Sequence, residues 1–313
     1  MVIRFWGVRG SIASPALPSD VKKNISEIIH NATPEDLANR ESRERFLSSL
    51  PPWLYGTVGG NTPCVSVEIE GFDEFIAFDC GSGIREFSAD CISKNSKPSK
   101  YHIFFSHFHW DHLQGLPFFV PAYDTSVTID FYSPAQEMES ILSKQMTSPF
   151  FPIRLENTGA EKKFHVLDSP VSLGPAEITY RKMKHPDDSY SFRIKHNEKI
   201  CIYATDTELS DSDFLKTPEN EEYFKDADLI ILDAQYTPDE AVEKYNWGHS
   251  AFSFSVDFAA NWGIKRLVLF HHDPAYDDKK LYEILQSARR HLQQNNHKGI
   301  EVYLAVEGMT ISL

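Results

Sequence analysis

Four side chains of metal-binding type lie within six consecutive residues of this chain, His107-Phe108-His109-Trp110-Asp111-His112. Three imidazoles and one carboxylate suit a borderline divalent ion such as zinc, which binds His nitrogen and Asp oxygen at about 2.0–2.2 Å. The apolar segment Ile103-Phe104-Phe105 runs into this cluster, and Gly115 and Pro117 follow it. The pattern predicts a buried strand that ends in a ligand-rich turn and presents a metal site.

Three later segments also place ligand-type residues directly after apolar, strand-like runs. These residues are His185, Asp206 and the pair His271-His272. A single His or Asp at the end of a strand is usually a polar group with an ordinary hydrogen-bond partner, so each segment alone is a weak signal. Together, and in order behind the six-residue cluster, they form a pattern that is far more specific than any one of the segments.

The whole pattern of H-x-H-x-D-H followed by His, Asp and His resembles the metallo-β-lactamase superfamily, over nearly the whole chain except residues 16–52. The resemblance implies two metal ions about 3.5–4 Å apart that share a hydroxide. It also implies two ligand sets with a bridging carboxylate: His107, His109 and His185 for one ion, Asp111, His112 and His271 for the other, and Asp206 between them. His271 is preferred to His272 because it comes first after the strand.

The same resemblance narrows the chemistry. The implied ions are divalent, with Zn²⁺ expected first and Mn²⁺ or Fe²⁺ as alternatives. β-Lactamases carry a Cys at the position of Asp206, and flavodiiron oxidoreductases carry a Glu at the position of His109, so a carboxylate-bridged hydrolase is favoured.

Trp247-Gly248-His249-Ser250 resembles the loop that carries an extra catalytic His in the phosphodiesterase branch, which includes ribonuclease Z and phosphoribosyl cyclic phosphodiesterase. His249 is therefore an expected catalytic residue, and Asp111 of the six-residue cluster is the other. The alternative for this loop is a helix cap formed by Ser250, with His249 incidental.

These residues predict a dinuclear metal-dependent hydrolase that acts on a small cyclic or nucleotide phosphodiester. Two ions would make hydroxide available near neutral pH, and His249 would protonate the departing oxygen. Three alternatives stay open: a glyoxalase-type thioester hydrolase, which would not need His249, a tRNA 3′-processing endonuclease, and a non-catalytic ligand-binding sensor on the same fold.

The charge and composition of the chain limit which binding partners are expected. The formal net charge of −14 opposes strong binding to nucleic acid or to an anionic membrane, because both depend on Lys and Arg. No apolar run approaches a membrane span and no secretory signal is visible, so a cytoplasmic location is expected. The four cysteines form no C-x-x-C pair and are expected to be reduced. The expected partners are a small phosphodiester and, at most, a second copy of the chain.

The order of strand-like and helix-like segments along the chain predicts an α+β fold. Each half of the chain gives a run of strands followed by helices, which indicates a four-layer αβ/βα sandwich of two mostly antiparallel sheets with helices outside. Residues 1–313 are expected to form a single domain with a helical insertion at about residues 16–52, packed beside the site.

Two polar positions outside the ligand set also have expected roles. Arg9 and Ser11 lie beside the glycines of the first tight turn, where they could face a phosphate. Asp79 follows an apolar strand, and the resemblance implies that it supports the metal loop from behind.

Overall fold

The computed structural model of the chain describes residues 1–93, 99–297 and 299–313. In this part of the chain, fourteen strands form two seven-stranded sheets that pack face to face, with helices outside. The strands are β1 (Val2–Gly7), β2 (Cys64–Glu68), β3 (Phe75–Phe78), β4 (Lys100–Phe104), β5 (Thr128–Ser133), β6 (Glu161–Val166), β7 (Val171–Leu173), β8 (Ala176–Met183), β9 (Ser189–His196), β10 (Lys199–Ala204), β11 (Leu229–Asp233), β12 (Arg266–Phe270), β13 (Glu301–Leu304) and β14 (Thr310–Ser312).

The same described residues include twelve α-helices and three short 3₁₀ segments. The helices are α1 (Pro18–Asn31), α2 (Pro34–Leu37), α3 (Arg40–Ser49), α4 (Pro52–Tyr55), α5 (Ile84–Ser93), α6 (Trp110–Leu113), α7 (Met138–Gln145), α8 (Asp211–Phe214), α9 (Pro218–Phe224), α10 (Pro238–Glu243), α11 (Phe252–Asn261) and α12 (Asp278–Gln294). The 3₁₀ segments are Leu116–Phe118, Val120–Tyr123 and Leu155–Asn157.

The α+β sandwich is confirmed, but the sheets are mixed rather than mostly antiparallel. The strand orders are β14-β1-β2-β3-β4-β5-β6 and β13-β12-β11-β10-β9-β8-β7. In each described sheet, three strand pairings are antiparallel and three are parallel. The reason is connectivity: α5, α11 and α12 each link consecutive strands, and a helical crossover returns the chain in the same direction.

Burial of the strands explains why the sequence forms these elements. Every residue of β11, Leu229–Asp233, is buried, as expected for a strand covered on both faces. The amphipathic helices α11 and α12 cover the outer face of this sheet and contribute to a core that continues between the two sheets. A second core lies on the other side of the first sheet, under α5 and α7. The two cores anchor the strands whose ends carry the site residues.

The predicted helical insertion corresponds to α1–α4, which lie between β1 and β2. Thr33 caps α2, accepting a hydrogen bond from the backbone N–H of Asp36. Trp53 of α4 packs on Tyr282 of α12, with ring centroids 5.7 Å apart. The insertion is therefore anchored on the last helix of the chain.

Two further expectations concern the cysteines and membranes. Cys64, Cys80, Cys91 and Cys201 are all free and buried. Among the described helices, none combines the length and the apolar character that crossing a bilayer requires.

Candidate metal centre

The predicted site residues lie at the carboxyl ends of strands that share one edge of the sandwich. Asp79 follows β3, the His107–His112 loop follows β4, and the other ligand-type residues follow β8, β10 and β12. Asp79, Asp206 and His271 have positive φ angles of 60°, 45° and 60°. Non-glycine residues rarely adopt this left-handed conformation, and such strain is concentrated at functional sites. The backbone thus turns sharply as three of the strands reach the centre.

One group of side chains brings together His107, His109, His185 and Asp206. One candidate ligand atom from each lies within 4.8 Å of those of the others. His185 Nε2 is 3.2 Å from His109 Nδ1, and His107 Nε2 is 3.5 Å from Asp206 Oδ1. His107 and Asp206 are buried, whereas the side chain of His109 is 40% exposed, so this part of the centre opens to solvent.

A second, fully buried group contains Asp111, His112, Asp206 and His271. His112 Nε2 lies 3.1 Å from Asp111 Oδ2 and 3.1 Å from Asp206 Oδ2. His271 Nε2 lies 3.1 Å and 3.2 Å from the same two oxygens. Asp206 therefore belongs to both groups, with Oδ1 facing the first and Oδ2 facing the second.

The outward nitrogens of four imidazoles bind protein acceptors. His109 Nε2 is 2.9 Å from the Asp187 carboxylate, His185 Nδ1 is 3.0 Å from the Gly248 carbonyl, His112 Nδ1 is 2.8 Å from Asp79, and His271 Nδ1 is 2.9 Å from the Gln235 side-chain oxygen. Because carboxylates and carbonyls only accept hydrogen bonds, each outward nitrogen carries a proton, and the inward nitrogen is the one that can offer a lone pair to a metal ion. This arrangement orients a histidine to bind a metal ion.

Asp79 lies behind the metal loop, as predicted. Its buried carboxylate accepts hydrogen bonds from the backbone and hydroxyl of Ser106, each at 2.8 Å, from His112 Nδ1, and from the Tyr203 hydroxyl at 2.7 Å. Ser106 precedes the loop, whereas Tyr203 comes from β10 of the other sheet. Asp79 thus holds the two halves of the centre together.

The donor set fits divalent cations. His107 Nε2 is buried and has no hydrogen-bond partner among the described residues, although an unpaired buried polar atom is costly. Burial lowers the pKa of His107 well below its ordinary value, and the neighbouring His112 lowers it further, so this imidazole is neutral. A neutral imidazole with an unpaired inward nitrogen is the form that binds a metal ion.

The electrostatics of the buried carboxylates also favour positive charge. Burial alone would raise the pKa of Asp206, but His112, His271 and His107 hold it well below its ordinary value. Burial likewise opposes charge on His112, yet Asp206, Asp111 and Asp79 raise its pKa well above the usual range. Two ionised carboxylates that converge at the centre of the site would be stabilised by bound cations.

His249 lies beside these groups and forms a dyad with Asp233. Its Nδ1 is 2.7 Å from Asp233 Oδ2, and its ring lies 5.0 Å from that of His271 and 5.4 Å from that of His185. Although burial opposes charge, Asp233 is the main cause of a rise in the pKa of His249 to about 9. His249 is therefore protonated at neutral pH, with Nε2–H available to the site.

The alternative reading of this loop, a helix cap formed by Ser250, is wrong. The N-cap of α11 is Ala251, and the Ser250 hydroxyl instead donates to the Thr207 carbonyl at 2.6 Å. The Ser250 backbone N–H donates to Asp233 Oδ1 at 3.0 Å. Ser250 therefore fixes the position of His249 relative to Asp233.

Two other expectations need correction or refinement. Arg9 does not face the site: its guanidinium is buried and donates to the carbonyls of Gly59 and Tyr276, at 2.9 Å and 2.8 Å. Ser11 contributes its backbone N–H, which donates to Asp111 Oδ2 at 2.8 Å. His272 Nε2 lies 2.9 Å from the Ala305 carbonyl, so His271 is the member of the doublet that reaches the centre.

Three supporting residues were not found from the sequence. Asp233 was a polar residue at the end of an apolar strand, and Gln235 and Glu208 carried no recognisable spacing. Asp233 had one available signal, since a carboxylate at the end of a strand beside the other ligand-bearing strands would lie at the same edge. Gln235 and Glu208 meet their partners only through the tertiary fold.

The family model described as the β-lactamase superfamily domain matches residues 75–272, from the start of β3 to the residue after His271. This chain belongs to the β-lactamase superfamily. The prediction of a metal-dependent hydrolase of this superfamily is thereby confirmed.

Individual proteins agree with this assignment. Ribonuclease Z from Prochlorococcus marinus is 22% identical over 288 residues, covering 75% of this chain and 90% of that protein. The metallo-β-lactamase fold protein YhfI from Bacillus subtilis superposes with a TM-score of 0.63 at 17% identity, covering 99% of both chains. A diphosphatase from the PhnP family superposes with a TM-score of 0.61 at 16% identity, covering 100% of this chain and 97% of that one. At these identities the structural matches show the shared fold of the superfamily.

Proposed function

We propose that this β-lactamase superfamily protein is a dinuclear metal-dependent phosphodiesterase that hydrolyses a small cyclic or nucleotide phosphodiester. The observation that carries the proposal is the pair of ligand groups that share Asp206, with the protonated His249–Asp233 dyad beside them. A hydrolase with two ions and a separate proton donor suits a reaction in which a poor alkoxide leaving group must be protonated.

The proposed metal ligands follow the two groups. His107, His109 and His185 would hold one ion, Asp111, His112 and His271 would hold the other, and Asp206 would belong to both sets. Nitrogen and carboxylate donors favour Zn²⁺, while Mn²⁺ and Fe²⁺ accept the same set.

Bound divalent ions would supply Lewis acidity, lowering the pKa of a water molecule and offsetting negative charge on the phosphoryl oxygens. Asp111 stays ionised, because His112 and His271 lower its pKa although burial alone would raise it. We assign Asp111 the further task of accepting a hydrogen bond from the attacking water and orienting it.

His249 is the proposed general acid. Asp233 fixes its Nδ1–H and stabilises the imidazolium, so that Nε2–H points into the centre. As the bond from phosphorus to the leaving oxygen breaks, this proton passes to that oxygen. His249 can supply it at neutral pH because its pKa lies near 9.

A direct assay tests this function against its alternatives. Zinc- or manganese-loaded protein should hydrolyse a nitrophenyl phosphodiester and a 2′,3′-cyclic nucleotide, should lose this activity on chelation, and should leave a glutathione thioester intact. Thioester cleavage without diester cleavage would establish the glyoxalase-type alternative. Tight metal binding without hydrolysis of either substrate would establish the sensor.

The second candidate is tRNA 3′ processing, favoured by the ribonuclease Z named among the relatives. The net charge of −14 opposes it, because affinity for a polynucleotide depends largely on neutralising phosphates. We expect binding to tRNA no tighter than the non-specific range, roughly 10⁻⁴–10⁻⁶ M at physiological salt. Nanomolar binding in a gel-shift assay, with cleavage of a tRNA precursor, would replace the small-diester proposal.

A further inference from the structure

The loop that carries His249 is joined to the ligand-type residue His185 by a contact at Gly248. The Gly248 carbonyl is 3.0 Å from His185 Nδ1, so this imidazole donates its proton outward and keeps its Nε2 lone pair for the centre. Gly248 has a φ of +90°, and a Cβ there would lie 2.1 Å from His185 Nδ1. Only glycine allows the loop to approach the histidine this closely.

The backbone N–H of the same residue, Gly248, is bound by Glu208. The buried backbone N–H of Gly248 donates to Glu208 Oε2 at 3.1 Å. Glu208 Oε1 accepts from Lys184 Nζ at 2.6 Å, and the Glu208 backbone N–H donates to the Lys184 carbonyl at 2.9 Å. The Glu208 side chain is only 10% exposed, so this arrangement is shielded from solvent.

We propose that Glu208 is a positioning residue that sets, through Gly248, both the orientation of His185 and the location of the general acid His249. The chain of contacts runs from Glu208 to the Gly248 N–H, from the Gly248 carbonyl to His185, and along one peptide bond to His249. Because Glu208 fixes the glycine residue whose carbonyl contacts His185 and which precedes His249, a shift of this residue would misalign a metal ligand and a proton donor together. This inference rests on the proposed phosphodiesterase function for the role of His249, but not for that of His185.

The test compares Glu208→Ala with a matched control, Asp228→Ala, which removes a carboxylate near the opposite end of β10. Asp228 is a buried carboxylate that, like Glu208, accepts from one backbone N–H and from lysine ammonium groups: Ile200 N at 3.0 Å, Lys265 Nζ at 2.8 Å and Lys199 Nζ at 3.4 Å. It lies beside the start of β10, whereas Glu208 follows its end. Asp228→Ala therefore reports on general destabilisation without touching Gly248.

The first readout is metal affinity, measured by calorimetric titration of the metal-stripped full-length protein with Zn²⁺. We expect Glu208→Ala to weaken one of the two binding events by about 10–100-fold, the usual effect of losing a group that orients a ligand. Glu208→Gln should restore most of this affinity, because its amide oxygen can still accept from Gly248. Asp228→Ala should bind both ions as the unchanged protein does.

The second readout is the dependence on the leaving group. Glu208→Ala should lower kcat on a 2′,3′-cyclic nucleotide at least tenfold more than on a nitrophenyl diester, because nitrophenolate leaves without a proton donor. Unchanged metal affinity and an unchanged ratio of the two rates, in a folded Glu208→Ala protein, would overturn the proposal. If this variant does not fold, Glu208→Asp, whose carboxylate is one methylene short of Gly248, is judged by the same two readouts.

The two readouts separate this inference from the proposed function. If the unchanged protein hydrolyses neither diester, the proposed function fails, while the zinc titration still decides whether Glu208 orients His185. If the unchanged protein is active and Glu208→Ala alters neither readout, the positioning role fails and the function stands.

Discussion

Two regions of this molecule gather imidazoles and carboxylates in its interior, yet only one is built to hold metal ions. We call the second region the opposite cleft; the residues that line it include Glu74, Lys100, His102, Asp130 and His165. It has a volume of about 570 Å³ and lies near the start of β4 and β5, away from the ligand-bearing strand ends. Residue type alone would make both regions metal sites.

The opposite cleft satisfies its own polar groups. His102 has both ring nitrogens occupied, with Glu74 at 2.5 Å and the Tyr132 hydroxyl at 3.0 Å. Asp130 is paired with Lys100 at 2.9 Å and with His165 at 3.2 Å. A lysine ammonium already supplies the positive charge, so no convergent set of lone pairs remains for an ion.

The metal centre shows the opposite organisation. Its outward imidazole nitrogens are bound to protein acceptors, His107 Nε2 is unpaired, and both oxygens of Asp206 face imidazole nitrogens. A metal site thus differs from a cluster of the same residue types in that ligand atoms converge on one point while hydrogen-bond acceptors orient the imidazoles from behind. Substitutions in the two regions should therefore have very different consequences.

The largest expected effect comes from removing the carboxylate that belongs to both ligand groups. Asp206→Asn should lower bound zinc below two equivalents and reduce phosphodiester hydrolysis to background, because the negative charge between the two cations is lost. Elemental analysis together with a diester assay measures both quantities. An Asp206→Asn protein with full metal content and activity would remove the distinction between the two regions.

The next effect concerns the proton donor rather than the ions. His249→Ala should slow hydrolysis of alkyl or cyclic nucleotide diesters by roughly 10²–10⁴-fold, the range for general acid catalysis, and slow a nitrophenyl diester far less. Metal content should be unchanged. Equal losses on both substrates with metal retained would show that His249 is not the acid, and loss of metal would make it part of the metal centre.

A smaller effect is expected for the support behind the ligands. Asp79→Asn leaves fewer acceptor sites for Ser106, His112 and Tyr203, so zinc affinity should fall by about 10–100-fold at one of the two positions. Calorimetric titration measures this change. Unaltered affinity would mean that the hydrogen bonds behind the centre do not orient His112.

The smallest effect on catalysis is expected in the opposite cleft. Asp130→Asn should leave metal content and diester hydrolysis unchanged, but should lower the free energy of unfolding by about 1–3 kcal/mol, because Lys100 and His165 lose a buried charged partner. Urea denaturation measures the loss. A fall in bound zinc in this variant would show that the opposite cleft also holds an ion.

The structure brings the predicted ligand-type residues together, and these residues were visible in the sequence because they follow strands with a clear hydrophobic pattern. His107, His185, Asp206 and His271 could be placed together before the structure was known because each follows an apolar, strand-like run, in an order that resembles the superfamily. Local spacing and strand order identified the candidate ligands, and the resemblance divided them into two sets.

Most hydrogen-bond partners of the ligands, the role of Arg9 and the strand directions were not predicted correctly, because they depend on tertiary contacts. The acceptors behind the imidazoles are distant in sequence: Asp79 meets Tyr203 across 124 residues, and Gly248 meets Glu208 across 40. Arg9 was assigned to a phosphate because a glycine-rich turn looks the same whether its arginine faces a ligand or a set of buried carbonyls. The parallel pairings of each sheet were missed because strand direction is decided by the crossover helices.

The most direct test of the metal centre is anomalous diffraction at the zinc absorption edge from crystals of the zinc-loaded protein. Two peaks about 3.5–4 Å apart are expected on either side of Asp206, one beside His185 and one beside His271, with none in the opposite cleft. A single peak in fully active protein would contradict the dinuclear centre. Zinc bound between His102 and Asp130, with none at Asp206, would show that the opposite cleft, and not the proposed centre, is the metal site.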